Sequence, residues 1–212
     1  MPSRPASSPS GVRLAARETR RALPAWIRRE PTFTPRWIKG LTLRWYRRRF
    51  RLGTFIETGT YFGDTAAAMA RRVECVHTIE LSPELAERAR DRFAHTPRVM
   101  VHCGDSGKLL PSILADIDEP CLLWLDGHWS EGVTARGDKD TPIVEELEAV
   151  LSRGQGDVVI IDDARCFTGS NDYPTIVWIA ELAAAHGYHC SQHLDMIRLR
   201  PGGTRHARRS GR

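Results

Sequence analysis

The chain lacks long hydrophobic runs. None of its apolar stretches approaches the ~18 residues of a membrane-spanning helix, so no such helix is expected. No short apolar stretch with a small-residue cleavage site follows the start, so no secretory leader is expected either. Cysteine is sparse: Cys75, Cys103, Cys121, Cys166 and Cys190 are scattered and form no C-x-x-C pair. That spacing argues against a zinc site or a disulfide framework and suits a reduced cytoplasm. Three of the five sit in apolar strand-like runs, where cysteine serves as a small hydrophobe. Lysine is almost missing as well, with Lys39, Lys108 and Lys139 the only ones among 31 basic residues. The arginine- and serine-rich start has the composition of an organellar transit peptide, but the arginine bias runs through the whole chain.

What is present is charge, unevenly placed. The net +5 over 212 residues conceals three segments. Residues 1–51 carry 14 basic residues against Glu18 and Glu30, a net of +12. Residues 198–212 carry six arginines and no acid. Residues 52–197 hold 11 basic and 24 acidic residues, a net of −13. An acidic body between two basic arms is not a uniformly basic nucleic-acid-binding fold. The expected division is a basic, partly disordered arm over 1–51, a domain over 52–200 and a basic, disordered tail over 201–212.

In the arm, residues 1–12 are rich in Pro and Ser. Aromatics then interleave with the basic residues, and Trp37, Leu41 and Trp45 recur at four-residue spacing on one face of a helix. Pro24, Pro31 and Pro35 break anything longer. From 52 onward, short apolar runs alternate with helical segments. Runs 54–58, 75–80, 98–103, 121–126 and 158–162 read as strands, and 64–72, 83–93, 106–115, 141–151 and 174–186 as helices. Ser82 with Pro83 starts one helix, Asp172-Tyr173-Pro174 starts the last, and Gly187 ends it. Segments 188–193 and 195–200 are close enough to pair as a hairpin. Apolar strands alternating with helices predict a parallel sheet covered on both faces.

The strands end in acids: Glu57, Glu80, Asp105, Asp126 and the pair Asp162-Asp163. In an open α/β sheet, ligands bind beyond the carboxyl ends of the strands. Gly59 and Gly63 bracket a tight turn in which glycine permits positive φ and close approach of a ligand. The G-x-x-x-G spacing is not the nicotinamide fingerprint, and Glu57 would repel a pyrophosphate, so an ammonium-bearing ligand suits it better. Glu80 can accept both hydroxyls of a ribose, and with Ser82 capping the helix it is expected to be left free for them. Asp105 and Ser106 can read an adenine amino group or merely cap the following helix.

The pieces FIETGTYFGDT, HTIELSPELAERA, VHCGDSGKLLPSI, LLWLDGHW and VVIIDDA, in this order and spacing, resemble class I S-adenosylmethionine-dependent methyltransferases over residues 52–200. The resemblance implies a Rossmann-like, doubly wound α/β fold. Its seven-stranded sheet would be mostly parallel, with a C-terminal antiparallel hairpin and a basic N-terminal arm. It also implies that Glu57, Gly59, Thr60 and Gly63 hold the methionine end of the cofactor, Glu80 its ribose, and Asp105 and Ser106 its adenine. Tyr61 departs from the commonest pattern, which has a third glycine there. Small-molecule O-methyltransferases often have a bulky residue at that point.

Asp126-Gly127-His128 and Asp162-Asp163 resemble the metal-binding positions of catechol-type, caffeoyl-CoA-type and macrolide O-methyltransferases. The implied ligands of a Mg²⁺ ion are Asp126, Asp162 and Asp163, with His128 a fourth ligand or a general base beside Asp126. Arg165 is placed to orient Asp163. A loop over 129–141 at the rim, with Arg136, Asp138, Lys139 and Asp140, suits acceptor contacts. The expected acceptor is a small hydroxylated molecule, a sugar or secondary metabolite. Two other classes compete. One is RNA methylation or binding through the basic arms, against which the −13 body counts. The other is a non-catalytic cofactor-binding or membrane-surface protein whose arm meets an anionic bilayer. A related cleft doing hydroxylation would need two His and a carboxylate for iron, and no such set is evident.

Overall fold

The structure, a computed structural model, describes residues 34–127 and 141–202. Helix α1 (Arg36–Phe50) is followed by β1 (Thr54–Thr58), α2 (Asp64–Ala70), β2 (Cys75–Glu80), α3 (Pro83–Phe93) and β3 (Val99–Cys103). Then come α4 (Ser106–Ala115), β4 (Cys121–Leu125), α5 (Ile143–Ser152), β5 (Val158–Ile161), a short 3₁₀ turn (Ala164–Cys166), α6 (Ile176–Ala185), β6 (Tyr188–His193) and β7 (Met196–Pro201). One seven-stranded sheet runs in the order β3-β2-β1-β4-β5-β7-β6. β1 pairs in parallel with β2 and β4, β2 with β3, and β4 with β5. β7 is antiparallel to both β5 and β6, so the C-terminal hairpin closes one side of the sheet. This is the doubly wound, mostly parallel α/β architecture that the alternation predicts.

The strands are apolar on both faces because both are covered. On one face Phe55, Val76, Leu122, Trp124 and Ile160 form a core with Met69 of α2 and Phe93 of α3. On the other, Ile56, Leu123, Leu125 and Ile161 pack with Leu110 of α4, Leu147 of α5 and Ile179 of α6. The element ends follow local chemistry. Ser82 caps α3 by accepting the Leu85 N–H, with Pro83 in the first turn. The last helix starts later than expected. Thr175, not Asp172, caps it by accepting the Trp178 N–H, since Asn171 and Asp172 both take positive φ in the preceding turn.

Helix α1 differs most from the sequence reading. Charge groups its stretch with the arm, yet Leu43 and Tyr46 are buried in the first of these two cores. The inward stripe is Lys39, Leu43, Tyr46 and Phe50, at helical spacing. The Trp37–Leu41–Trp45 stripe faces outward, with Trp37 67% and Trp45 58% exposed. Two stripes of similar spacing compete for the same sheet. The one that packs inward buries Leu43 and Tyr46 and carries the cation that reaches Asp162.

Candidate functional site at the strand ends

Between β1 and β4 the strand order reverses, which opens a crevice beyond their carboxyl ends. The β1 turn closes against β4 there. Gly59 has φ +83°, and a Cβ on it would lie 2.4 Å from the Asp126 carbonyl oxygen. Only glycine fits so tight a backbone crossing. Gly63 also has positive φ, and its Cβ would meet the Phe93 ring at 3.0 Å. Tyr61 takes φ +50° in the same turn, a conformation that glycine adopts at little cost and a bulky residue does not. Glu80 supports it by accepting the Tyr61 N–H at 2.8 Å.

Glu80 is therefore not left free. Its second oxygen accepts the Ser82 N–H at 3.0 Å, although Ser82 caps α3 as expected. A carboxylate has about four lone-pair positions, so acceptor capacity remains beyond these two amides. Glu57 is buried at the end of β1 and accepts a hydrogen bond from the Thr78 hydroxyl at 2.9 Å, while Thr78 and Thr60 lie 2.6 Å apart through their hydroxyls. Burial pushes the Glu57 carboxyl up to about 8, against the opposing Thr78 hydrogen bond and with help from the negative charge of Asp126. Thr78 is a participant the sequence reading missed. A polar residue inside an apolar strand, next in register to Glu57, is the signal that identifies it.

At the end of β3, Asp105 caps α4 by accepting the Gly107 N–H at 3.0 Å, and Lys108 lies 3.1 Å from its other oxygen. Ser106 is buried and donates its hydroxyl to Glu146 of α5 at 2.6 Å. Its proton is committed there, while its oxygen keeps lone pairs for a donor. Asp126 donates its N–H to the Thr58 carbonyl and hydroxyl oxygens, at 3.1 and 3.2 Å, which fixes the β4 end over β1. His128 and the residues 129–140, including Arg136 and Lys139, lie outside the described residues.

The acid pair after β5 is surrounded by cations. Lys39 of α1 forms an ion pair with Asp162 and lies 4.0 Å from Asp163. Arg165 donates to Asp163 at 2.6 Å, as the sequence suggested, and also pairs with the fully buried Asp195. Asp163 sits at φ +52°, with its N–H held by the Asp162 side chain at 2.8 Å. Burial raises the Asp162 carboxyl and the Lys39 charge opposes that rise. Among the described residues, no three His, Cys, Asp or Glu side chains come together in a way that could hold a metal ion. The expected grouping of Asp126, Asp162 and Asp163 about Mg²⁺ therefore does not match the donor set: an ammonium and a guanidinium hold the pair. Lys39 and Asp195 were missed because they lie far from the acid pair in sequence, Lys39 in the segment assigned to the arm.

Among the described residues no helix is long and apolar enough to cross a membrane. No family model matches the chain, and no curated protein matches it. Solved structures do. The O-methyltransferase TomG from Streptomyces achromogenes, in complex with S-adenosylmethionine, is 19% identical, with TM-score 0.58 over 93% of this chain and 92% of that one. An O-methyltransferase from Bacillus cereus, in complex with S-adenosylhomocysteine, is 18% identical, with TM-score 0.53 over 92% of each chain. The Podospora anserina methyltransferase PaMTH1 is 16% identical, with TM-score 0.55 over 95% of this chain and 99% of that one. In its described residues, the chain has the fold of these S-adenosylmethionine- and S-adenosylhomocysteine-bound methyltransferases.

Proposed function

We propose that this chain is an S-adenosylmethionine-dependent methyltransferase acting on the oxygen of a small hydroxylated acceptor, a sugar or secondary metabolite. The observation that carries the reading is the crevice where the strand order reverses. There, a glycine turn packed on β4 brings Glu57 and Glu80 to adjacent strand ends. Such a rim offers carboxylates to a cationic ligand bearing hydroxyls and offers little to a polyphosphate. When bound, the cofactor supplies a methyl group made electrophilic by its sulfonium. Glu57 and the turn from Gly59 through Thr60 to Gly63 hold the amino-acid end. Glu80 accepts the ribose hydroxyls with its remaining lone pairs while fixing the turn. Asp105 and Ser106 border the adenine, and His128 beside Asp126 serves as the base for the acceptor hydroxyl. The unpaired cysteines accord with a cytoplasmic setting.

Calorimetric titration of the full chain with S-adenosylhomocysteine tests the reading. Saturable binding is expected, and its absence overturns the assignment. Mass spectrometry of a panel of hydroxylated acceptors, looking for a methyl added to oxygen, then tests the acceptor class.

A second reading concerns the outer face of α1. Its exposed Trp37, Leu41 and Trp45 lie beside Arg44, Arg48 and Arg49, with no acid on the helix. That combination suits peripheral contact with an anionic bilayer. Flotation with phosphatidylserine-containing vesicles, against neutral ones, tests it.

A further inference from the structure

The acid pair after β5 is closed by a cation that belongs to the protein. Lys39 reaches it from the inward face of α1. Its ammonium is 5.9 Å from the Trp124 ring centroid, paired with Asp162 and 4.0 Å from Asp163. The Lys39 and Asp163 side chains are 15% and 16% exposed and Asp162 only 2%, so the pair is seated in the fold and open on one side. Several flanking elements hold it in place. Leu43 and Tyr46 anchor α1 in the core, Arg165 grips Asp163, and Asp195 from the β6–β7 turn grips Arg165. Asp195 is tied in turn to Thr34, just before α1, through an N–H bond of 3.1 Å to the Thr34 hydroxyl.

From this geometry we infer that Lys39 fills the cation position of the β5 acid pair, so the cleft works without a divalent ion and offers the acceptor oxygen an ammonium instead. An ammonium has three N–H donors. Asp162 meets this ammonium directly after the carboxyl end of β5, where the Lys39 and Asp163 side chains keep 15% and 16% of their surface exposed. A fixed positive charge there holds an oxygen and favours its deprotonated form, as a metal would. A divalent ion at the same carboxylates would have to displace Lys39 and overcome its repulsion at close range. The inference rests on the methyltransferase reading for its acceptor, but not for its claim about cations.

The test uses the whole 212-residue chain and separates the two. Mg²⁺ and Ca²⁺ are titrated calorimetrically, and thermal melting is followed with millimolar Mg²⁺ or EDTA. Wild type should show no saturable binding and no shift in melting temperature. Lys39→Met, which strips Asp162 of its counter-charge, should gain a Mg²⁺-dependent rise in melting temperature, and Lys39→Arg should not. With an acceptor from the screen, Lys39→Met should lower kcat at least about tenfold and leave S-adenosylhomocysteine affinity within about twofold, with Lys39→Arg restoring part of kcat. Saturable Mg²⁺ binding by wild type, or full turnover by Lys39→Met, overturns the inference. If Lys39→Met does not fold, the Lys39→Met/Asp162→Asn pair, which leaves no buried unpaired charge, is read for the same loss of kcat. Failure of wild type to bind S-adenosylhomocysteine overturns the methyltransferase reading alone, and the Mg²⁺ titrations still decide the cation claim.

Discussion

The two halves of the strand-end rim use their acids in opposite ways. On the β1–β2–β3 side, the described carboxylates are met mainly by backbone amides and hydroxyls: Tyr61 and Ser82 amides on Glu80, the Gly107 amide on Asp105, and Thr78 on Glu57. On the β5 side they are met by side-chain cations, Lys39 and Arg165. Amides and hydroxyls hold a carboxyl group without supplying a counter-charge, so Glu57 and Glu80 are left to take one from a cationic ligand, while the exposed Lys108 meets Asp105 alone. Paired cations cancel a carboxylate's charge, so the second side is close to neutral and shaped by hydrogen bonds. One rim thus sets amide-held acids next to cation-paired acids, although the sequence shows only a row of acids.

The substitutions that test this contrast fall in order of expected size. Gly59→Ala strikes the seam between the halves. Its Cβ would lie 2.4 Å from the Asp126 carbonyl in a positive-φ turn, and a stability loss of about 3 kcal/mol is expected by thermal or urea denaturation. A variant as stable as wild type would mean that the β1 and β4 turns are not locked together. Glu80→Ala acts on the amide-bound side only. It removes the support of the Tyr61 turn and the ribose acceptor together, so S-adenosylhomocysteine affinity should fall at least about tenfold by calorimetry, as expected for lost charge-assisted hydrogen bonds. Unchanged affinity would remove Glu80 from the cofactor site.

With the Glu57 carboxyl near 8 when folded and 4.5 when unfolded, the free protein holds a proton that the unfolded chain releases. Stability from this group is therefore full below pH 4.5 and is lost as pH rises through 8. Glu57→Gln should flatten that decline in melting temperature. A ligand ammonium beside Glu57 favours the charged form, so cofactor binding near neutral pH should release a proton, read as a buffer-dependent binding enthalpy. A binding enthalpy independent of buffer would place the ammonium elsewhere. The smallest effect is expected for Lys108→Ala. The Lys108–Asp105 pair is exposed, 73% at the lysine, so its loss should change stability by less than about 0.5 kcal/mol. A clear loss of cofactor affinity in this variant would show that Asp105 does more than cap α4.

Much of the fold was legible because its signals are local. Apolar runs such as VVII and CLLWL, Ser82-Pro83 and Gly187 each depend on neighbouring residues, and strand–helix alternation sets the topology. The acids at the strand ends were legible for the same reason. Their partners were not. Whether Glu80 meets an amide or Asp162 a lysine depends on which distant segment folds over it. Lys39 was hidden by its context, one lysine in a stretch rich in arginine whose more conspicuous Trp37–Leu41–Trp45 stripe points to solvent. The acid pair alone likewise does not show that Lys39 and Arg165 come to lie on it.

The pairing of Lys39 with Asp162 spans 123 positions, and that of Thr34 with Asp195 spans 161. The β1–β2–β3 turns, by contrast, lie within about fifty residues of one another. During synthesis, the amide-held half of the rim can assemble while the rest of the chain is still being made. Lys39 has emerged by then, but it must wait for β5 and the final hairpin. Contacts of such long sequence separation form late and slow the final steps of folding. A chain halted before β5 would thus have a half-built crevice whose lysine still lacks its carboxylate.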